Sequence, residues 1–364
     1  MPWLQTETTP FSITYGTGSV SGTIASDVFH IGSLSPSVSF GLANKVSDEF
    51  KAYPMDGILG IGRGDTVEGT IEAPQVMDVL KSEDLIGAKL YGIHLSRSKD
   101  GLKDGELNFG APNPDRFTGD LNFVPIVAND AGFWEIAIDD AGVDDVEIGL
   151  GGRTAIIDTG TSFIFMPESD ATSIHDNIEG FKKSGETYTV PCNTKKVVWI
   201  TFGGVKYEIS TADWIGGQTS GGNCRSNIIG RQTFGERQWL VGDVFLKNVY
   251  SVFDFDNDQV GFGVKSGEQG QETPTSASPS GTPTTASSPA GQSTAPTSQP
   301  SSGTPSNPTS PGPSTTGTQE SPANPSAEAQ SATGSPSPTG AAAHASVPIS
   351  SFAFSVVLGL LAMF

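Results

Sequence analysis

The residues of this chain with the clearest capacity for chemistry are Asp158 and the three that follow it, Thr159, Gly160 and Thr161. Ile156 and Ile157 lead into them, and Phe163-Ile164-Phe165 follows Ser162, so strand-like sequence flanks a Thr-Gly turn on both sides. Apolar flanks on both sides place the carboxylate in a half-buried position. A charge there is costly unless hydroxyl and backbone N–H groups bind it, and Thr159, Gly160 and Thr161 can supply those donors. Two uses fit such a group: a surface β-turn, since Asp-Thr-Gly is ordinary turn chemistry, or a catalytic carboxylate. Elsewhere the candidates thin out. The four histidines are scattered without metal-ligand spacing. Asp254, Asp256 and Asp258 imitate the start of a calcium loop, but Gln259 stands where that loop needs glycine and Lys265 where it needs glutamate.

Several stretches have to position that loop. Phe11 to Tyr15, a glycine tip at Gly16-Thr17-Gly18, and Val20 to Phe29 read as strand, turn and strand, a β-hairpin. Asp56 to Gly62 reads as an apolar strand whose glycines let another backbone come close. Helical spacing of Val76, Val79, Leu80 and Ile86, with Pro74 near the start, predicts a helix over 73–86, and a second short helix is expected over 169–181. Trp134 to Ile138 and Val146 to Ile148 read as strands, and Trp239 to Leu246 is an apolar run interrupted by Gly242-Asp243. Abundant glycine, scarce helical periodicity and recurring short Val, Ile, Phe and Thr runs make the first 265 residues an all-β unit. Its two cysteines, Cys192 and Cys224, form most simply one disulfide in an exported chain, with two free thiols as the alternative.

Taken together and in order, these stretches resemble the pepsin-like aspartic proteases. The resemblance runs from about Phe11 to Val264 through five matching pieces: the Ile13–Gly22 hairpin, Asp56–Gly62, the Asp158-Thr159-Gly160-Thr161-Ser162 loop, the cysteine pair, and Trp239–Gly263. It implies a bilobal all-β fold with a cleft between lobes, the first lobe over 1–125 and the second over 126–265. It also implies that Asp158 is one of two catalytic aspartates, supported by Thr159, Gly160 and Thr161. The hairpin would be the flap over the substrate, with Tyr15 orienting it and Gly16 and Thr17 offering backbone hydrogen bonds to a bound peptide. The implied substrates are peptides or proteins, the implied state is a monomer, and neither cofactor nor metal is needed.

Residues 266–339 differ abruptly from the rest: Ser, Thr, Pro, Gly and Ala dominate, and no Phe, Tyr or Trp occurs between Phe262 and Phe352. Such a stretch cannot bury enough apolar surface to fold. In an exported protein it reads as an O-glycosylated stalk, or else an unmodified linker. Residues 340–364 read as a GPI-anchor signal, with small residues near Gly340, a spacer, and an apolar tail from Phe352 to Phe364. The tail is short for a bilayer-spanning helix, although a plain tail anchor is the alternative. The resemblance to anchored aspartic proteases of fungi points the same way, to the cell surface or wall, with membrane contact through the lipid alone. The net charge of −20 repels nucleic acid and anionic surfaces and diminishes in acid.

One expected piece is missing. The family places its other aspartate in an Asp-Thr-Gly or Asp-Ser-Gly loop before the flap, whereas here only residues 1–10 precede the hairpin, and Asp65-Thr66-Val67 lacks the glycine. The expectation is therefore a chain lacking its beginning, inactive by itself and active in a longer form. The alternative is a non-catalytic pepsin-like protein that binds peptides or contributes to the cell wall.

Overall fold

The computed structural model describes residues 4–15, 18–51, 56–64, 71, 73–266 and 360–361. The expected stalk and most of the expected anchor signal lie outside them. So do the flap-tip residues Gly16 and Thr17, and Asp65.

The described chain is mostly strand, in line with the all-β expectation, and its sheets follow from alternating burial. The hairpin is present: Gln5–Thr14 pairs antiparallel with Ser19–Val28, and Ser37–Val46 adds a third strand. Gly22 lies where a Cβ would meet the Leu42 carbonyl at 2.1 Å, so glycine permits that close pairing. A five-stranded sheet runs in the order Glu106–Phe109, Leu90–His94, Val249–Asp254, Gln259–Lys265, Phe117–Pro125. Residues from before and after the expected lobe boundary at 125/126 share this sheet.

A second five-stranded sheet carries the Asp158 region, in the order Ile228–Ile229, Ile164–Phe165, Gln238–Val241, Arg153–Ile157, Glu135–Ile138. Its central pair is parallel, with Ile157 opposite Val241, and its inner residues Ala155, Ile156, Ile157, Trp239, Leu240 and Val241 are all buried. Continuous apolar runs are what a sheet covered on both faces requires. Two four-stranded sheets complete the architecture. One contiguous core runs from Ile61, Met77 and Leu80 through Tyr91 and Trp134 to Phe262.

Three expectations need adjusting. The helix predicted over 73–86 spans Val76–Ser82, because Pro74 precedes it and the chain turns left-handed at Asp84 (φ 56°). It buries Met77 as well as Val79 and Leu80. The helix predicted over 169–181 is Glu168–His175, followed by turns. The strand predicted over Asp56–Gly62 is confined to Leu59–Gly60, paired with Leu360–Leu361. Glycines at 57, 60 and 62 leave few side chains to anchor a ladder there.

Asp254, Asp256 and Asp258 belong to the hairpin turn between the last two long strands. Asp254 accepts from Asn257 and Gln259, Asp256 accepts from the Lys89 N–H, and Asp258 pairs with Arg63 at 2.6 Å. Among the described residues, no helix is long and apolar enough to cross a membrane.

Cys192 and Cys224 form a disulfide, which settles the thiol alternative. It closes a loop of sequence separation 32 and ties the strand Cys224–Ser226 to the segment after Thr187–Val190. Replacing both cysteines with serine is expected to cost about 3 to 4 kcal/mol on chain-entropy grounds. The check is a urea titration of both proteins, comparing the unfolding free energies extrapolated to water, with a steeper slope expected for the variant because its unfolded chain is less compact.

Candidate active site

The strand Arg153–Ile157 ends at Asp158 because the backbone there must leave the sheet and turn. The Asp158 N–H donates to the Val241 carbonyl at 3.0 Å, the last hydrogen bond of the parallel pair, and the Thr161 N–H returns to the Asp158 carbonyl at 3.3 Å. Asp158 is only 2% exposed. Its carboxylate is held by its own turn: the Gly160 N–H donates to Oδ1 at 2.9 Å and the Thr161 hydroxyl to Oδ2 at 2.5 Å. Donors this close stabilise the ionised form against the cost of burial. Thr159 is half-buried and lines the space beside the carboxylate, while Ser162 points to solvent.

The loop is braced from below. Gly242 donates to the Phe163 carbonyl at 3.0 Å, and the Asp243 N–H donates to the Thr161 carbonyl at 2.8 Å. A Cβ on Gly242 would stand 1.9 Å from that same Thr161 oxygen, so the glycine that interrupts the apolar run is a contact requirement. Burial, opposed by Lys247, pushes the Asp243 carboxyl above its usual range. Asp213 is shifted up the same way, against the pull of Arg97.

A cavity of about 40 Å³ opens beside Asp158, lined among others by Gly62, Tyr91, Phe133, Trp134 and Thr159. Such a volume holds a water molecule rather than a ligand. The Tyr91 hydroxyl donates to the Ile61 carbonyl at 3.1 Å, which ties the 56–62 segment to the site. Burial, and to a lesser degree the Asp158 charge, pushes the Tyr91 phenol above its usual range, with Trp134 opposing. The Trp134 indole N–H has no hydrogen-bond partner among the described residues.

Of the residues singled out from sequence, the structure brings Asp158, Thr159, Gly160 and Thr161 together. Gly160 and Thr161 donate to the carboxylate, and Thr159 lines the space beside it. Tyr15 stands at the turn of the hairpin expected to be the flap, its N–H donating to the Gly18 carbonyl at 2.7 Å, and its half-buried ring packs edge-on against Phe50 at 5.4 Å. Burial raises its phenol. Sequence reading missed Tyr91, Trp134, Arg153, Asp170 and His175. Only the isolated charges at 153 and 170, beside apolar runs, could have pointed to any of them.

His175 is fully buried at the end of its helix and stacks on Tyr188 at 4.0 Å. Its Nδ1 lies 2.6 Å from the Ala171 carbonyl, which can only accept, so Nδ1 carries the proton and Nε2 accepts from the Ser226 hydroxyl at 2.9 Å. Burial pulls the ring down to about 4, against smaller opposing effects of Ala171 and Asp176.

The sequence profile described as eukaryotic aspartyl protease matches residues 4–265. Among curated relatives, a probable aspartic-type endopeptidase CTSD of Arthroderma benhamiae is 44% identical over 272 residues, covering 74% of this chain and 52% of the relative. The protein of the same name from Arthroderma otae is 42% identical, covering 75% and 72%. Cathepsin D of Dictyostelium discoideum is 34% identical, covering 70% and 67%. The chain spans about half the length of the first of these relatives.

Two outcomes follow from this geometry. Gly242→Ala forces the Asp158 loop off its brace, and a loss of about 1 to 3 kcal/mol or more in thermal unfolding is expected. For His175 the unfolded ring titrates near 6.5 and the folded ring near 4, so between those values the unfolded chain takes up a proton that the folded ring refuses. The contribution is fully present above pH 6.5 and is lost, by about 3 kcal/mol, as pH falls towards 4. Stability measured from pH 7 to pH 4 should flatten over that window in His175→Gln.

Proposed function

The chain belongs to the eukaryotic aspartyl protease family, and from that premise we propose that it is part of an endopeptidase that cleaves peptide bonds through Asp158. The observation that carries this reading is a carboxylate 2% exposed, bound by the Gly160 N–H and the Thr161 hydroxyl, at the edge of a small cavity. In the proposed reaction two carboxyl groups share one proton, since neighbouring like charges cannot both ionise readily. The ionised one removes a proton from water as that water attacks the peptide carbonyl, and the protonated one gives its proton to the carbonyl oxygen; the adduct then collapses, the C–N bond breaking as the first carboxyl passes its proton to the leaving nitrogen and the second takes one back from the hydroxyl.

Asp158 supplies one of the two. A second aspartate, from a further Asp-Thr-Gly or Asp-Ser-Gly loop in a longer form of the protein, completes the pair; the relatives' greater length is consistent with this. Thr159, Gly160 and Thr161 hold Asp158, and Tyr15, Gly16 and Thr17 form the flap over a peptide or protein substrate. An acidic working pH is supported by the charge of −20 and by the half-buried Asp213 and Asp243, whose raised carboxyls retain protons more readily in mild acid. The composition of 266–339 and 340–364 supports display at the cell surface on a glycosylated stalk and a GPI anchor, and the family resemblance implies a monomer. A single Asp-Thr-Gly in this sequence favours a second reading for the 364-residue chain alone: a pepsin-like peptide binder without catalysis.

The test begins with extension of the transcript beyond the codon for Met1, followed by expression of the longest product and of this chain. Cleavage of a fluorogenic peptide at about pH 4 is expected from the longer product. Asp158→Ala in it should lower the rate at least about a hundredfold with the circular dichroism spectrum unchanged. Residual activity above that level removes Asp158 from the chemistry. If no longer product exists and this chain binds a peptide without cleaving it, the second reading replaces the first.

A further inference from the structure

We propose that Asp170 is a positioning residue for Asp158, acting through Arg153 and Trp239 on the two strands that end at the Asp158 loop and its brace. The proposal builds on the role given to Asp158 above.

Asp170 lies in the first turn of the helix Glu168–His175 and is almost completely buried. Its carboxylate accepts from Arg153 twice, Nε to Oδ2 at 2.7 Å and Nη2 to Oδ1 at 2.9 Å. It also accepts from the Trp239 indole at 2.9 Å and from the Ser169 hydroxyl at 3.0 Å. Burial pushes this carboxyl up, but these donors and the Arg153 charge outweigh it, and the group sits below its usual range. A two-pronged guanidinium contact fixes direction as well as distance.

What distinguishes this cluster from an ordinary buried ion pair is where its two ends lead. Arg153 opens the strand Arg153–Ile157, whose next residue is Asp158. Trp239 sits in Gln238–Val241, whose next residue is Gly242. These strands are parallel neighbours, with Ala155 opposite Trp239. One carboxylate therefore binds a side chain from each strand of the pair that presents the loop.

The opposite face carries a matching device. Glu135, also buried, accepts from the Thr154 hydroxyl at 2.5 Å and from the Gln238 side chain at 2.9 Å. Thr154 and Gln238 face each other in the register and precede Ala155 and Trp239. Successive residues of a strand point to opposite faces, so Asp170 and Glu135 hold the same pair from its two sides. With both in place the strands cannot slide or tilt. With Asp170 neutralised to Asn, one acceptor oxygen and the charge are gone, so the Arg153 fork and the Trp239 indole compete for a single neutral oxygen and the pair can tilt about the Glu135 contact. The error passes along the strands to the Asp158 N–H bond with Val241 and to the donors of Gly160 and Thr161. Asp158 would then keep its place in the fold but lose the hydrogen bonds that favour its ionised form.

The readout is the titration of Asp158 itself, followed by carboxyl carbon NMR in the full chain and assigned by the signal missing from Asp158→Asn. In Asp170→Asn the Asp158 midpoint is expected to rise by about one pH unit, as weakened donation to a buried carboxylate requires. Arg153→Lys retains the charge but not the fork, and should move the midpoint the same way by less. It also decides the matter if Asp170→Asn does not fold. Ile174→Val, a small core loss in the same helix, controls for destabilisation and should leave the midpoint in place. If the midpoint stays within about 0.3 units of the parent in the folded Asp170 and Arg153 variants, or if Ile174→Val moves it equally, Asp170 is structural only and the proposal is overturned. Cleavage by the longer product separates this from the functional reading. There Asp170→Asn should lower kcat about tenfold with KM within about twofold. If the parent cleaves nothing, the endopeptidase reading fails while the titration still decides the role of Asp170.

Discussion

A carboxylate removed from water has to be paid back in hydrogen bonds, and at Asp158 that requirement organises the surrounding structure. Two donors come from the turn itself, Gly160 and Thr161. They reach the carboxylate only if the turn is tight, and the turn stays tight only because Gly242 and Asp243 press against its carbonyl side. That brace follows from the parallel pairing of Arg153–Ile157 with Gln238–Val241, which buried carboxylates on either face hold in register. Each layer is thus a consequence of the one above it. A group that must stay charged in an apolar surround needs its donors set before any substrate arrives, which is the general condition for electrostatic preorganisation.

The buried titratable groups do not pull stability in one direction. His175, low when folded, favours the folded chain at higher pH. Asp170, Asp104, Glu106 and Asp144, all held below their usual range, contribute stability that is lost as pH falls through their folded values. Asp213 and Asp243 work the other way, since an acid raised on folding contributes in acid and loses its contribution as pH rises. Asp243 belongs to the loop's brace, and Asp170 lies in the helix Glu168–His175.

What was legible in the sequence was local. The Asp158 loop could be read because apolar runs flank a turn, the hairpin because alternating strands flank a glycine tip, and the disulfide because only two cysteines exist. Short-range pattern also misled: Asp56–Gly62 has the composition of a strand but forms one only at Leu59–Gly60, since glycines without side chains give the sheet nothing to pack. Helix ends moved inward where Pro74 and the left-handed Asp84 intervened. Arg153, Asp170 and Trp239 were invisible as a unit. Their meeting depends on a parallel pairing that brings residue 239 beside 155, and no local period encodes a contact at such separation. Tyr91 and Trp134 are core aromatics as well as lining the cavity beside Asp158.

The Gly160 and Thr161 donors to Asp158, the brace and the two carboxylate clamps come from residues between Glu135 and Asp243. The sheet beneath, by contrast, interleaves Leu90–Pro125 with Val249–Lys265, so the rest of the chain contributes the floor rather than the geometry of the loop. Preorganisation and activation are therefore separable in this fold. A single lobe can surround one carboxylate with donors, but splitting two titrations so that one group is base and the other acid requires a second carboxyl within a few ångströms. The donors of Gly160 and Thr161 meet the first requirement at Asp158; the second is the part that the proposed longer form would have to supply.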